Sequence, residues 1–331
     1  MDMSFPPILE SLTFIITRKQ ESTLLACTSE QKRYIIATLI LFMRVDYKGE
    51  GDSIFMNYVW KVDPGSNVTL KDYDSGYTDT HNDRVSADLE IQALSDELNE
   101  LQELLAAAQK NSLLVVLQGM DTSGKDGTIR HVLSHVNPQG CFVHSFKAPT
   151  QEELGHDFLW RVHKVTPAKG EMGIFNRSHY EDVLVARVKK LVQEKVWSLR
   201  YEEINSFEHL LTQSGIILLK FFLHISYDEQ ERRLLAREED KDKSWKLSAE
   251  DWEDRKYWKE YEKAYEDALS MCSTNNAPWY IVPGNHKWYR NLAVAHAIVH
   301  KMRQYKEEWK TALEARGQRE LEKLKQIRSK S

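Results

Sequence analysis

Leu113-Leu-Val-Val-Leu-Gln-Gly-Met-Asp-Thr-Ser-Gly-Lys-Asp-Gly127 reads as a buried strand that runs into a glycine-rich turn and delivers a lysine to the start of a helix. Five apolar residues, Leu113 to Leu117, make the strand. Ile129, Val132, Leu133 and Val136 then continue at helical spacing until Asn137-Pro138 stops the helix. Gly119, Gly124 and Lys125 satisfy G-x-x-x-x-G-K, a pattern in which backbone N–H groups and the positive end of a helix cradle phosphate oxygens. The next position departs from the commonest form: Asp126, followed by Gly127 and Thr128, stands where a magnesium-binding Ser or Thr is usual.

Working outward, strands are expected near Leu113–Gln118, Cys141–Phe146, Met172–Asn176, Ile216–His224 and Trp279–Val282, separated by helical segments. Such alternation predicts an α/β fold with five parallel strands, right-handed crossovers and helices on both faces. Thr150 with Glu153, and Ser226 with Glu229, fit the S/T-x-x-E capping box. Ile91, Leu94, Leu98, Leu101 and Leu105 recur at helical spacing between Ala87 and Gln109, which predicts an amphipathic helix. The polar, turn-rich residues 63–88 read as an arm over the core, and Lys306 to Ser331 as a charged, solvated helical tail.

Ligands of such sheets bind beyond the carboxyl ends of the strands. Phosphoryl transfer there needs cations for the phosphate oxygens, a carboxylate for magnesium and in-line positioning. Lys125 is placed to reach a transferred group. Asp121 either ligates Mg²⁺ or caps the helix after the turn. Arg177, directly after the third strand, either binds phosphate or bridges Glu181 or Asp182, and the same two carboxylates are further metal candidates. Arg233 and Arg237 fall at i and i+4, so one helix face would carry two guanidiniums aimed the same way; with Lys243 and Lys246 they suggest a basic lid at about 228–250. A solvated charged face is the competing reading. The aromatic run Trp252, Tyr257, Trp258, Tyr261 and Tyr265 reads as core or subunit contact, with base stacking the lesser alternative, and His179 is the histidine placed nearest the site.

Composition limits the alternatives. The 331 residues carry a net charge of −5, which argues against a general nucleic-acid or membrane-surface role. Three scattered cysteines, Cys27, Cys141 and Cys272, give neither a disulfide framework nor a metal spacing, and point to a reducing cytoplasm. The apolar run Tyr34 to Met43 is too short to span a membrane. Gly49-Glu50-Gly51-Asp52 requires purine-rich codons just ahead of Met56, so residues 1–55 are expected to be a mis-called or peripheral extension of a chain that starts at Met56.

The segments GMDTSGKDGTIRHV, VNPQG, FKAPTQEEL, DFLWRVH, IFNRSHYEDVLVARV, LKFFLHIS and STNNAPWYIVPGNHKWYRN occur in order between Val85 and Arg303. Together they resemble the signatures of the polyphosphate kinase 2 family. The resemblance implies a three-layer, thymidylate-kinase-like P-loop fold with a helical lid, a core over 111–305 preceded by an arm and helix over 56–110, and Mg²⁺-dependent, reversible transfer between inorganic polyphosphate and AMP, ADP or ATP. Asp121, Gly124, Lys125 and Gly127 match the family's G-x-D-x-x-G-K-x-G form, so Asp126 is normal there. With Gly119 and Thr128 these glycines form the expected phosphate cradle, while Asp121, Lys125 and Arg177 are the expected catalytic set. Asn176-Arg-Ser-His-Tyr-Glu-Asp182 is similar to the subgroup that phosphorylates both mono- and diphosphates, which stakes the acceptor range on Asn176 and Glu181. A homodimer or homotetramer is expected from the amphipathic helix faces. An ATP-dependent nucleotide kinase of the same fold and a catalytically silent binding module are the competing functions; intact Asp121, Lys125 and Arg177 speak against the second.

Overall fold

The computed structural model describes residues 58–78, 84–239 and 249–329; residues 1–55 and the lid lysines Lys243 and Lys246 lie outside them. In chain order the described elements are β1 (Trp60–Lys61), α1 (Arg84–Ala108), β2 (Ser112–Gln118), α2 (Lys125–Val132), β3 (Cys141–Ser145), α3 (Gln151–Leu154), α4 (Trp160–His163), β4 (Met172–Asn176), α5 (Val185–Val188) and α6 (Glu194–Gln213). They continue with β5 (Ile216–His224), α7 (Tyr227–Glu239), α8 (Ala249–Arg255), α9 (Trp258–Met271), β6 (Trp279–Pro283), α10 (Lys287–Arg303) and α11 (Lys306–Arg328).

The sheet has the order β1-β6-β5-β2-β4-β3, with β2 flanked in parallel by β5 and β4. The strand carrying the glycine-rich turn is therefore internal, and all seven of its residues are buried. Its side chains alternate between two cores. Leu113, Val115 and Leu117 join α1 and α10 on one face; Leu114 and Val116 join α6 and α9 on the other. Leu94, Leu98, Leu101 and Leu105 supply the buried stripe of α1, as the spacing predicts.

The expected all-parallel, five-stranded sheet is corrected to a mixed sheet of six strands. The sixth, β1, pairs antiparallel with β6 through Trp60↔Ile281 and Lys61↔Tyr280. Two residues are too few to show an alternating pattern, and the segment's polar turns hid its anchors. Val62, Val68 and Leu70 are buried, the Val62 N–H donates to the Trp279 carbonyl (2.9 Å), and the Leu70 N–H donates to the Glu266 carboxylate (2.9 Å). Thr150 and Glu153 form the reciprocal capping box. Ser226 supplies only half of one: its Oγ accepts from the Glu229 N–H, while the Glu229 carboxylate turns to Arg232 and Arg233. On α11 only Trp309 is buried, and its indole N–H donates to Asn111 Oδ1 (3.0 Å).

A polar network lies inside the α6 side of the sheet. Lys220 Nζ, fully buried on β5, donates to Glu208 Oε2 (2.6 Å), the Tyr180 hydroxyl oxygen (3.0 Å) and the Cys272 carbonyl (2.6 Å). The Tyr180 hydroxyl donates to Glu208 Oε1 (2.9 Å), and His179 Nε2 also reaches that oxygen (3.1 Å). Burial opposes the Glu208 carboxylate, but Lys220 and His179 outweigh it and hold its pKa below the ordinary value. Glu208→Gln should therefore destabilise by about 3–5 kcal/mol, because it leaves an unpaired ammonium in the core. The double variant with Lys220→Met should cost less than the sum of the singles. For a carboxylate with a depressed folded pKa, stability is full above its unfolded value and lost as pH falls through the folded one. Urea melts of the wild type, both singles and the double at pH 7 and at pH 4 check this, and additive singles would disprove the coupling.

Candidate active site

Two glycines allow the turn after β2 to close. Gly119 has φ +154°, and a Cβ there would lie 2.7 Å from the Leu223 carbonyl oxygen. Gly124 has φ +100°, and a Cβ there would collide with the Arg290 guanidinium. Thr122 between them also adopts a left-handed conformation, at φ +65°, a strained arrangement that persists only where surroundings enforce it. Arg233 and Gln230 enforce it from beneath, and Arg290 also reaches the loop there. Arg233 Nη1 donates to the Thr122 and Ser123 carbonyls (2.9 and 3.0 Å), Arg290 Nη1 donates to the Ser123 carbonyl (3.0 Å), and Gln230 Nε2 donates to the Asp121 carbonyl (3.2 Å). With its carbonyls held on that side, the loop is stiff before any ligand arrives.

Lys125 opens α2 and is 8% exposed; its Nζ donates to the Gly119 carbonyl (2.7 Å) and the Met120 carbonyl (3.3 Å). Burial, then the neighbouring Arg177, lower its pKa to about 8. The hydroxyls of Thr122, Ser123 and Thr128 are buried without a hydrogen-bond partner among the described residues. Unsatisfied donors around a glycine-rich turn suit an anion with several oxygens.

Arg177 follows β4 at φ +61°, and its N–H donates to the Leu117 carbonyl (3.0 Å), so the end of β4 is tied to the end of β2. Gln118 reinforces that tie by donating to Ser178 Oγ (3.1 Å). Arg177 Nη2 thereby meets Asp121 Oδ1 at 2.7 Å and Nη1 meets Glu181 Oε2 at 3.3 Å. Burial works against the guanidinium, but the Glu181 and Asp121 carboxylates raise its pKa above the ordinary value. These groups edge a cleft of about 430 Å³, open solvent included, whose far wall is Trp258, Tyr261 and Tyr265.

The structure brings Gly119, Asp121, Arg177 and Glu181 together in that cleft, with Lys125 behind the loop. Other expectations are corrected. Arg233 does not share an outward face with Arg237: it is buried, and Nη2 also donates to the Gly284 and Asn285 carbonyls (2.6 and 3.0 Å). Its side chain supports the loop, whereas Arg237 pairs with Asp251 (2.9 Å). Asp182 faces away, held by Arg161 and Arg200 (3.4 and 3.2 Å). His179 is enclosed in the Glu208 network. Asn176 Nδ2 donates to Asp126 Oδ1 (2.8 Å), which links the end of β4 to the first turn of α2. The sequence reading missed Gln230 and Arg290, whose helices carry no motif that announces a role under the loop. Tyr261 and Tyr265, read as core or subunit contact with base stacking the lesser alternative, are buried and also line the cleft.

Comparison with known proteins agrees with this geometry. The family Polyphosphate kinase 2 (PPK2) matches residues 81–310. Over 241 residues, 72% of this chain and 90% of the relative, the sequence is 51% identical to the AMP/ADP-polyphosphate phosphotransferase of Meiothermus ruber. It is 43% identical to the ADP-polyphosphate phosphotransferase of Rhodopseudomonas palustris, covering 70% of this chain and 84% of that one. Among solved structures, polyphosphate kinase 2 from Arthrobacter aurescens TC1 superposes with a TM-score of 0.71 at 41% identity, covering 73% of this chain and 87% of that one. A glycine-rich loop stiffened from below, a buried lysine at its end and matches of this extent lead to one conclusion: the chain belongs to the polyphosphate kinase 2 family.

Proposed function

We propose that the protein transfers phosphoryl groups from inorganic polyphosphate to AMP and ADP, forming ADP and ATP, in a reversible and Mg²⁺-dependent reaction. The observation that carries this reading is the placement of Arg177, Asp121 and Glu181 on one cleft with an aromatic wall, with Lys125 buried behind the adjoining loop. The names of the Meiothermus ruber and Rhodopseudomonas palustris relatives support both donor and acceptors. In the transfer, an oxygen of the acceptor phosphate attacks the terminal phosphorus of the chain, and the bond to the next bridging oxygen breaks. The backbone N–H groups of the loop and Lys125 hold the donor's oxygens, and the Arg177 fork spans the equatorial oxygens as charge redistributes. Trp258 and Tyr261 offer flat faces to the acceptor base.

The donor set fits Mg²⁺. No group of three His, Cys, Asp or Glu residues forms a metal cage among the described residues, but Mg²⁺ is ordinarily held by one or two carboxylates together with substrate phosphates. Asp121 and Glu181 are those carboxylates, both on the cleft and both paired with the single charge of Arg177. When bound, the ion would neutralise phosphate oxygens and fix their orientation. Asp182, committed to two arginines, is not part of that set.

We read the fold as the thymidylate-kinase-like P-loop type, with the core over residues 111–305 and a lid over about 228–250 whose start is fixed to the loop by Gln230 and Arg233, so that closure would begin beyond Arg233 and carry Arg237 towards phosphate. Gly127 and Thr128 complete the cradle begun by Gly119 and Gly124. Cytoplasmic placement accords with the scattered cysteines, and no described helix is long and apolar enough to cross a membrane. Assembly as a homodimer or homotetramer accords with the exposed Leu199 and Leu210 on α6.

A coupled assay for ATP, given polyphosphate and ADP with no other nucleotide, should give a positive rate; absence of ATP there, with activity on an ATP donor, would replace this reading with an ATP-dependent nucleotide kinase. Lys125→Ala and Arg177→Ala should each lower turnover by roughly 10² or more while the protein remains folded. Near-normal turnover in either would remove that residue from the transfer step. Glu181→Asn should impair AMP more than ADP, because the shorter acceptor must be seated or metal-bridged nearer the carboxylate. The ratio of kcat/KM for the two acceptors reads this directly, since general damage to the fold cancels; equal losses would reject Glu181 as the determinant.

A further inference from the structure

Arg290, on α10, is 2% exposed and has only neutral partners. Nη1 donates to the Ser123 carbonyl (3.0 Å), and Nε and Nη2 donate to Asn291 Oδ1 (3.2 and 2.8 Å). No carboxylate pairs with it among the described residues, whereas Arg233 has Glu229 at 2.6 Å. Burial, with the like charge of Arg233, lowers its pKa to about 9. Its guanidinium fills the space left by two glycines: a Cβ at Gly124 would collide with it, and one at Gly127 would stand 3.3 Å from Nη2. Both glycines of the G-K-D-G segment thus give room to a cation on the inner side of the loop whose outer side is the proposed phosphate cradle.

A buried charge with no counter-ion is costly, and the low local dielectric that makes it so also lengthens its reach. Arg290 is poorly placed to touch phosphate, because the loop backbone lies between. The Ser123 carbonyl needs no second donor either, as Arg233 already supplies one. Hydrogen bonding alone therefore gives little reason for a charge here.

We propose that Arg290 is a positioning residue whose uncompensated charge is balanced only when the P-loop holds an anion, so that it strengthens phosphate binding at the expense of the unliganded fold. The proposal rests on the reading of the loop as a polyphosphate site. Two consequences separate it from simple structural support: removing the charge weakens anion binding, and it does not weaken the empty protein. A structural clamp would behave in the opposite way.

Arg290→Met, which keeps much of the volume, and Arg290→Lys, which keeps the charge, can be compared with wild type by calorimetric titration of tripolyphosphate without nucleotide and by thermal melts without ligand. Arg290→Met should bind tripolyphosphate about tenfold or more weakly, while melting at or above the wild-type temperature. Arg290→Lys should restore binding to within about threefold of wild type. The proposal is overturned if Arg290→Met binds as wild type does, if it melts lower or fails to fold without ligand, or if Arg290→Lys is weakened as much as Arg290→Met. Failure of the wild type to bind tripolyphosphate would instead sink the polyphosphate reading and this proposal with it.

Discussion

The hydrogen bonds from Arg233 to four backbone carbonyls hold together the two loops on which the rest of the site depends. One side chain joins Thr122 and Ser123 after β2 to Gly284 and Asn285 after β6, although β5 lies between those strands in the sheet. Parallel strands alone would leave their terminal loops free to move separately. A guanidinium can make this connection because it presents five donors in a rigid fork, and Glu229 offsets the cost of burying its charge. A lysine, with a compact ammonium on a flexible stem, could not span the same carbonyls. The left-handed Thr122 and the close approach of other groups to Gly119 and Gly124 are tolerable because the loop is fixed in this manner.

The second fixed point is Arg177. Its positive φ aims the side chain back towards Asp121, and the backbone bond to Leu117 fixes its height above the sheet. Immediately after it, Ser178 is gripped by Gln118, and His179 and Tyr180 enter the Glu208–Lys220 network. The interior salt bridge therefore does more than satisfy its own charges, because it immobilises the residues that follow the arginine. Buried ion pairs contribute little net stability when compared with well-packed apolar residues, so such a network is better understood through the geometry it imposes.

Much of this architecture was legible in the sequence because it is written in local patterns. The bounds of β4 and β5, the helix of α1 and the capping box of α3 all follow from periodicity or capping chemistry within a few residues. The G-x-x-x-x-G-K spacing placed Asp121 and Lys125, and proximity to a strand end singled out Arg177. What escaped depends on contacts distant in the chain. Gln230 and Arg290 lie more than a hundred residues from the carbonyls they hold in the glycine-rich loop, and nothing in their own surroundings marks them; Arg233 stood out by its spacing to Arg237, but its inward role depends on contacts equally distant in the chain. β1 was missed because a two-residue strand has no measurable period, and Asp182 was misjudged because its arginines come from α4 and α6.

The division between cationic supports and cationic ligands is a matter of where carboxylates fall. Arg177 has two carboxylates but sits partly open on the cleft, so phosphate or metal can exchange with those partners at modest cost. Arg233 has one carboxylate and four carbonyls and is enclosed, so no ligand competes for it. Lys125 lies between these extremes. It is enclosed, but its present partners are two neutral carbonyls, which a phosphate oxygen can outbid because a charge-assisted hydrogen bond is roughly twice as strong as a neutral one. Burial that lowers its pKa to about 8 also withholds water from the ammonium, and this leaves it the more strongly drawn to an arriving anion.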